Sequence, residues 1–480
     1  SSMRRRILEL LSQHGVLIEP DAADKLCKQP DPMSLIETYL ITPDTSAPMI
    51  ITLKHLEGII RSQQILQTPE INILTKTSRP KLSEDIRIIR DITGNSTCVG
   101  DIASFFKLFQ NRYRVMKRLL IRRRELSAAV SLSKATKVNG NVRVIGMVKD
   151  VRTTKNGYRL IEIEDEDDSL PVLVLRDSPA FDDYVVSDEV IGVIGKVAKR
   201  GGMIVADEII RPDVPVNTGL MKTDSTSWAV FVGDIHVGSN TFLENQWDAF
   251  IEWLNTADDA KDVRYVIMPG DLVDGIGIYP EQEDELLIDD IYGQYEVLAE
   301  TLKEIRDDIT IIASPGNHDA VRLAEPQPAL PETFSKFFDS NVKMIGNPAE
   351  FELEGRNILV YHGRSIDDWI AAVPGLAYCK PLDVMREMLK RRHLAPIYGE
   401  KTAIAPEEKD YLVIENVPDI FVTGHVHNAG VGDYRGVIMI NASAWQAQTE
   451  FQRMHNHVPD PCKAFMVHLG TCKARVVKFN

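Results

Sequence analysis

At 480 residues the chain exceeds what one hydrophobic core usually spans, so about two to four domains are expected. With 44% hydrophobic and 26% charged residues it has a globular composition, and no apolar run approaches a membrane span or a signal-peptide core, so a cytoplasmic chain with no membrane partner is expected. A net charge of −15 excludes a surface that grips nucleic acid everywhere, and five scattered cysteines without a CxxC pair exclude a disulfide framework or a zinc knuckle.

Ser1-Ser2 ahead of Met3 looks like a tag-removal remnant, which places the natural start at Met3. Residues 3–63 predict a small helical module suited to docking or spacing. Ile7, Leu8, Leu10 and Leu11 face inward on a first helix that ends at Gly15. Asp21 opens a second helix, Asp31-Pro32 opens a third with Met33, Leu35, Ile36 and Leu40 inside, and Leu53, Leu56, Ile59 and Ile60 suit a fourth. Residues 64–100 read as a linker with at most one short strand.

Residues 101–137 hold an amphipathic basic helix. Ile102, Phe105, Phe106, Phe109, Tyr113, Met116 and Leu120 form one stripe, while eight Lys or Arg and no acid lie between Ile102 and Arg124. Such a helix suits either acidic partners, DNA phosphates among them, or packing of its stripe on the next domain. Residues 138–216 contain five strand-like runs with glycine-rich turns, the pattern of a small oligonucleotide-binding (OB) type barrel. Tyr158 is the only aromatic in those runs and the Glu162–Asp168 loop is acidic, which favours a structural or partner-binding barrel over a nucleic-acid platform.

From 226 to 480 strands alternate with helical stretches, predicting a layered α/β domain. Five apolar runs here end in glycine and metal-binding side chains: Gly233-Asp234-Ile-His236, Gly270-Asp271-Leu-Val-Asp274, Gly316-Asn317-His318-Asp319, His362-Gly363 and Gly424-His425-Val-His427. Buried strands ending this way deliver ligands to one sheet edge. Two cations about 3.5–4 Å apart can hydrolyse a phosphodiester, and holding them so close needs a bridging carboxylate, for which Asp271 is the candidate. Asp234 and His236 can reach one cation together; His425 and His427 can be divided between the two; Asn317 and His362 suit the second. His318, beside Asn317, can lie near a scissile phosphate without binding metal and protonate the leaving oxygen. Asp274 and Asp319 read as orienters of ligands. Mixed nitrogen and oxygen donors without thiolate fit Mn²⁺, Fe or Zn²⁺ better than Ca²⁺. Any one of these residues alone would more often cap a turn or face solvent, but five of the eleven histidines fall in these short segments. The acidic stretch Glu281–Asp290 reads as a solvated loop and helix start.

Taken together, D-x-H, G-D-x-x-D, G-N-H-D, a lone His and G-H-x-H resemble the calcineurin-like metallophosphoesterase superfamily. That resemblance implies an α/β sandwich in which Asp234, His236, Asp271 and His427 hold one metal, Asp271, Asn317, His362 and His425 the other, and His318 is the catalytic acid. Asp274–Pro280, Asp319–Pro328, Arg392–Gly399 and Asn441–Thr449, with the barrel ahead of them, narrow the resemblance to the small subunits of archaeal family D DNA polymerases. The family implies a proofreading 3′→5′ exonuclease with two divalent ions, Mn²⁺ first and Fe or Zn²⁺ as alternatives. Its partners would be a large catalytic polymerase subunit and the DNA 3′ end. Alternatives are a scaffold like the eukaryotic B-subunits, whose metal ligands are degraded, or a free-standing nuclease. Arg322 suits a phosphate contact or an ion pair with Glu325. Ile102-x-x-Phe105-Phe106 resembles a sliding-clamp peptide, with Val99 in place of its leading glutamine.

Overall fold

The computed structural model describes residues 2–41, 50–67, 86–216 and 221–480, and the chain divides into two compact units, 1–75 and 76–480. In the first, helices α1 (Ser2–Gln13), α2 (Pro20–Cys27), α3 (Pro32–Ile41) and α4 (Leu53–Gln67) bury Ile7, Leu11, Leu26, Leu35, Ile36 and Leu56 together. Asp31 caps α3 by accepting from the Ser34 amide at 3.1 Å. Leu8, expected inside, is exposed, because it is turned about 100° from Ile7 around the helix. A two-residue parallel pair, β1 (Leu17–Ile18) with β2 (Ile50–Ile51), was not signalled by the sequence. Residues 68–85, about half of the expected linker, lie outside the described residues.

The second unit opens with β3 (Ile86–Arg90) and α5 (Ile102–Ile121), and a short α6 (Leu132–Ala135) follows. The basic helix thus ends at Ile121, short of the expected 137. Strands β4 (Asn141–Thr153), β5 (Arg159–Glu164), β6 (Ser169–Val174), β7 (Val190–Val197) and β8 (Ile204–Ile210) close into a barrel in the order β4-β5-β6-β8-β7. Leu132 and Ala135 of α6 join the barrel core.

Next come β9 (Trp228–Phe231), α7 (Glu244–Thr256), β10 (Val263–Pro269), α8 (Ile291–Lys303), β11 (Thr310–Ser314), α9 (Glu332–Ser335), β12 (Val342–Met344), β13 (Ala349–Leu353) and β14 (Arg356–Val360). They are followed by α10 (Ile366–Ala372), α11 (Pro381–Arg391), β15 (Ile420–Thr423), β16 (Ala429–Tyr434), β17 (Val437–Ala442), α12 (Glu450–Met454), β18 (Lys463–His468) and β19 (Ala474–Lys478). The strands form two six-stranded sheets, β12-β11-β10-β9-β18-β19 and β16-β17-β15-β14-β13-β3. Alternation fixes the layers. Phe231, Tyr265, Ile267 and Ile312 of the first sheet share a core with Phe351, Val360, Val422 and Ile440 of the second. The intervening Val230, Val266 and Met268 turn to Trp247, Phe250 and Leu298 of α7 and α8, while Phe421 and Met439 turn to Trp369, Met385 and Met388 of α10 and α11. The result is a helix/sheet/sheet/helix sandwich. β3, assigned to the linker from sequence, instead pairs antiparallel with β13 and completes the second sheet. Among the described residues no helix is long and apolar enough to cross a membrane.

Helix α5 ties this unit together. Phe105 and Phe109 pack on Tyr398 at ring separations of 5.0 and 5.8 Å, and Tyr113, Met116 and Leu120 are buried. Ile102 and Phe106, counted in the stripe, are 89% and 65% exposed, so only part of the clamp-like triplet is free. Arg112 is fully buried: it donates to Asp410 at 2.7 Å and to the carbonyls of Pro396 and Asp188. His393 joins this cluster, 2.9 Å from Asp410 through Nε2, while its Nδ1 accepts from the Ala395 amide, so the ring is the neutral Nε2–H tautomer. A second buried charge, Glu189 beside the barrel, is gripped by Arg211 at 2.5 Å and by Arg391 of α11 at 3.0 Å. The acidic loop and the basic helix meet at Arg114–Glu166, 2.6 Å apart on the surface.

Removing Arg112 would strand a buried carboxylate, so Arg112→Ala is expected to destabilise the chain by about 3–5 kcal/mol in denaturant unfolding. Phe106→Ala should change stability by no more than about 0.5 kcal/mol. Burial, with Arg112 nearby, pushes the His393 ring down to about 4 from its ordinary 6.5. Between those values the unfolded chain binds a proton that the folded chain refuses, so stability falls on acidification through that window. His393→Gln should be less stable at neutral pH yet lose less between about pH 6.5 and 5, read from melting temperatures across the range.

Candidate metal centre

The parallel strands β9, β10 and β11 of one sheet and β14 and β15 of the other end at a common edge, and each releases its polar residues there. Reaching the centre from a strand end requires an abrupt turn, and the backbone supplies it with left-handed residues. Asp234, His236, Asp271, His425 and His427 have φ of 52°, 57°, 49°, 73° and 56°. Non-glycine residues rarely adopt this region, which costs of order 1–3 kcal/mol each and concentrates at functional sites. The neighbouring glycines serve close approach instead. A Cβ on Gly424 would stand 2.3 Å from Asp234 Oδ2, on Gly316 2.3 Å from Asp271 Oδ1, and on Gly270 2.6 Å from His362 Nδ1.

Among the described residues three groups of donors converge, one of which, His236, Asp274 and His318, shares His236 with the first of the other two. In the first, Asp234, His236 and His427, the two Nε2 atoms lie 3.0 Å apart and face Asp234 Oδ1 at 3.8 and 3.4 Å. The second comprises Asp271, His362 and His425, and Asn317 Oδ1 is 3.0 Å from His362 Nε2. Asp271 lies between the groups, with Oδ2 3.6 Å from His236 Nε2 and 3.2 Å from His362 Nε2. His318 lies 4.0 Å from Asp271 Oδ2 through Nε2, because its Nδ1 donates to the Asp274 carbonyl at 2.7 Å.

Hydrogen bonds fix which ring atoms point inward. His362 Nδ1 donates to the Pro269 carbonyl at 2.7 Å and His236 Nδ1 bonds Asp274 at 2.9 Å, leaving both Nε2 lone pairs for a cation. His425 Nε2 is taken by Asp367 at 2.8 Å, so Nδ1 is the atom it can offer. His427 Nδ1 meets Gln452 Nε2 at 3.0 Å. Gln446 and Gln282 donate to Asp274. Asp367, Gln282, Gln446 and Gln452 escaped the sequence reading; of these only Gln446, inside the Asn441–Thr449 stretch, carried any signal.

Burial would raise the Asp234 and Asp271 carboxyls, yet the surrounding imidazoles outweigh it and hold both well below the usual carboxylate range. Burial likewise opposes charge on His362, but the Asp271 and Asp234 carboxylates carry its ring up to about 9. His427 goes the other way, down to about 4, because burial wins. So much negative charge in a water-poor volume calls for cations. Asp234 Oδ1 is buried without a hydrogen-bond partner, facing two imidazole nitrogens, and no thiolate belongs to either group. A divalent transition-metal ion fits this donor set.

Two sequence expectations change. Asp319 does not touch a ligand side chain: it accepts from the amides of Leu272 and Gly316 and from the Tyr295 hydroxyl, so it braces the loops carrying Asp271 and Asn317. Arg322 pairs with Glu407 at 3.0 Å, not with Glu325, and its other nitrogens engage Pro326 and Ser96. Four of its five N–H groups are thus engaged within the chain. Glu325 instead accepts from Tyr361 at 2.8 Å.

Because a methyl at Gly424 would displace Asp234, Gly424→Ala is expected to lose about 1–3 kcal/mol of stability and to bind less Mn²⁺ per chain in equilibrium dialysis.

Residues 229–430 match the family model for the B-subunits of DNA polymerases alpha and epsilon. The chain is 42% identical over 467 residues to the DNA polymerase II small subunit of Archaeoglobus fulgidus, covering 93% of this chain and 92% of that one. It is 38% identical to the small subunits of Thermoplasma acidophilum (99% and 93% covered) and Methanothermobacter thermautotrophicus (97% and 98% covered). A solved archaeal phosphodiesterase aligns over 52% of this chain and 99% of its own at 13% identity and a TM-score of 0.28, too slight a likeness to argue from. Identity of this order along nearly the whole of both chains places this one in the family of archaeal DNA polymerase II small subunits, the small subunits of family D.

Proposed function

We propose that the centre is the two-metal site of a 3′→5′ exonuclease that proofreads for a replicative DNA polymerase in the cytoplasm, with a large catalytic subunit as partner. The observation that carries this reading is the pair of donor groups with Asp271 Oδ2 between them, 3.6 Å from His236 Nε2 and 3.2 Å from His362 Nε2, together with the buried, unpartnered Oδ1 of Asp234. On this reading the sandwich is a metallophosphoesterase domain and the barrel an OB-type domain. Asp234, His236, Asp271 and His427 would hold one divalent ion, and Asp271, Asn317, His362 and His425 the other, with Mn²⁺ the first choice and Fe or Zn²⁺ alternatives. When bound, such a pair neutralises charge on the phosphate oxygens and supplies a water acidic enough to attack at neutral pH.

The chain's own residues do the rest. Asp274 and Asp367 hold the His236 and His425 rings in one tautomer and orientation, so the donors are set before substrate arrives. His318 donates its Nδ1 proton to the Asp274 carbonyl and presents Nε2 to the centre; when Nε2 is protonated too, the imidazolium can pass that Nε2 proton to the departing 3′ oxygen and is left as the neutral Nδ1–H ring. Attack on the terminal phosphodiester releases a deoxynucleoside 5′-monophosphate and leaves a shortened strand with a 3′ hydroxyl.

The test is digestion of a 3′-labelled single strand by the full chain with Mn²⁺. His318→Ala is expected to cut kcat by about 10²–10⁴-fold while Mn²⁺ still binds. Asp271→Ala should abolish both Mn²⁺ binding and digestion. No digestion by the unaltered chain, or digestion indifferent to His318→Ala, would sink the exonuclease reading.

A further inference from the structure

Beside the centre runs a row of rings that belongs to neither donor group. The Tyr279 ring lies 6.4 Å from His318 and 6.1 Å from Phe451, and Phe451 packs on His455 at 4.2 Å with 32° between the planes. The rings are held in place. Tyr279 donates its hydroxyl to Glu285 at 2.6 Å, and His455 Nδ1 bonds the Phe451 carbonyl at 2.7 Å. Gln452, next in chain to Phe451, touches His427, and a capping box with Thr449 fixes the turn of α12. One end of the row is thus tied to His318 and the other, through Gln452, to a candidate metal ligand.

Phe451 is nevertheless 53% exposed, and Met454, three residues on in α12, is exposed too. An apolar ring held half in water gains little for the fold beyond its contacts with Tyr279 and His455. Glu450, beside Phe451 in the chain, and Glu285, which holds the Tyr279 hydroxyl, would repel a phosphate lying on the row, and Arg453 is already paired with Glu450 at 2.7 Å. What suits an aromatic face set among acids is the uncharged part of a nucleotide. Bases stack on such rings without regard to sequence.

We infer that Tyr279, Phe451 and His455 form a stacking platform for unpaired nucleobases of the strand being digested. The inference rests on the exonuclease reading for the identity of the strand. His318 would face the departing 3′ oxygen, which belongs to the retained strand, so the row beside it receives the bases upstream of the scissile bond. A base still stacked and paired in a duplex cannot occupy the platform, so a frayed or mismatched end, with more than its last nucleotide unpaired, is favoured over a paired one. Tyr279, Phe451 and His455 are in this sense positioning residues.

The experiment uses the full chain with its large subunit and compares two single strands, one with normal bases and one with abasic nucleotides just upstream of the terminal bond. Phe451→Ala is expected to raise KM for the normal strand about tenfold, with a smaller change in kcat. On the abasic strand the ratio of variant to unaltered KM should fall to about one. Phe451→Tyr should restore most of the loss, and Tyr279→Phe, which keeps the ring, should behave better than Tyr279→Leu. Equal losses on both strands, or none on either, would overturn the platform. Binding of the same two strands, followed by fluorescence anisotropy in the Asp271→Ala background, gives an arm independent of hydrolysis. If nothing is digested but Phe451→Ala still weakens binding of the normal strand alone, the exonuclease reading fails and the platform stands. If Phe451→Ala instead releases the large subunit, the rings are a protein interface and the platform is wrong.

Discussion

Everything at the strand ends depends on how one buried carboxylate is satisfied. Asp271 accepts the His318 amide at 2.9 Å through Oδ1, and its Oδ2 is within 4.0 Å of three imidazoles, those of His362, His236 and His318. A charge buried this deeply is costly unless it is paired. The fold therefore cannot move one of these histidines without exposing Asp271 to an uncompensated environment, and the site behaves as a unit. Asp319, pushed up to about 6 by burial and by Asp271 nearby, shows the same crowding of acids one step further out.

The backbone around that carboxylate shows how the crowding is tolerated. Five left-handed residues in one cluster are unfavourable singly, yet each sits where a fully buried parallel strand has just ended and the sheet on either side holds the turn. Glycines supply the remaining clearance, since side chains at Gly316 and Gly424 would overlap the carboxylates of Asp271 and Asp234. Strain and clearance are both local, whereas the packing that enforces them spreads over two sheets and four helices.

This division explains what could be read from the sequence. The donors were legible because each follows an apolar run within a few residues, a pattern local in the chain. The barrel strands were legible for the same reason, since alternation and glycine turns are local. Partners distant in sequence were not. Asp367 is 58 positions from His425, Glu407 is 85 positions from Arg322, and nothing in either neighbourhood marks the pair. Period alone also misjudged which members of an apolar stripe are buried: Leu8, Ile102 and Phe106 have the right spacing but no neighbour to cover them. His393 lies outside the five donor segments, and it joins a buried charge cluster only through Asp410 and Arg112, whose numbers lie far apart.

The strand β3 has a topological consequence. It precedes the barrel in the chain, yet it pairs with β13 across Ile86↔Leu353 to Arg90↔Glu350, and the segment after it is anchored where Glu407 accepts from Ser96 and Thr97. The sandwich is therefore discontinuous, and the barrel with its leading helix is an insertion between one of its edge strands and all the others. A fragment cut at the sequence boundary near 226 would leave β13 as an open edge with unpaired amides and Glu407 without Ser96 and Thr97, a surface that invites aggregation. The barrel and the sandwich are thus expected to fold as one piece, since the chain enters the barrel from β3 and leaves it for β9.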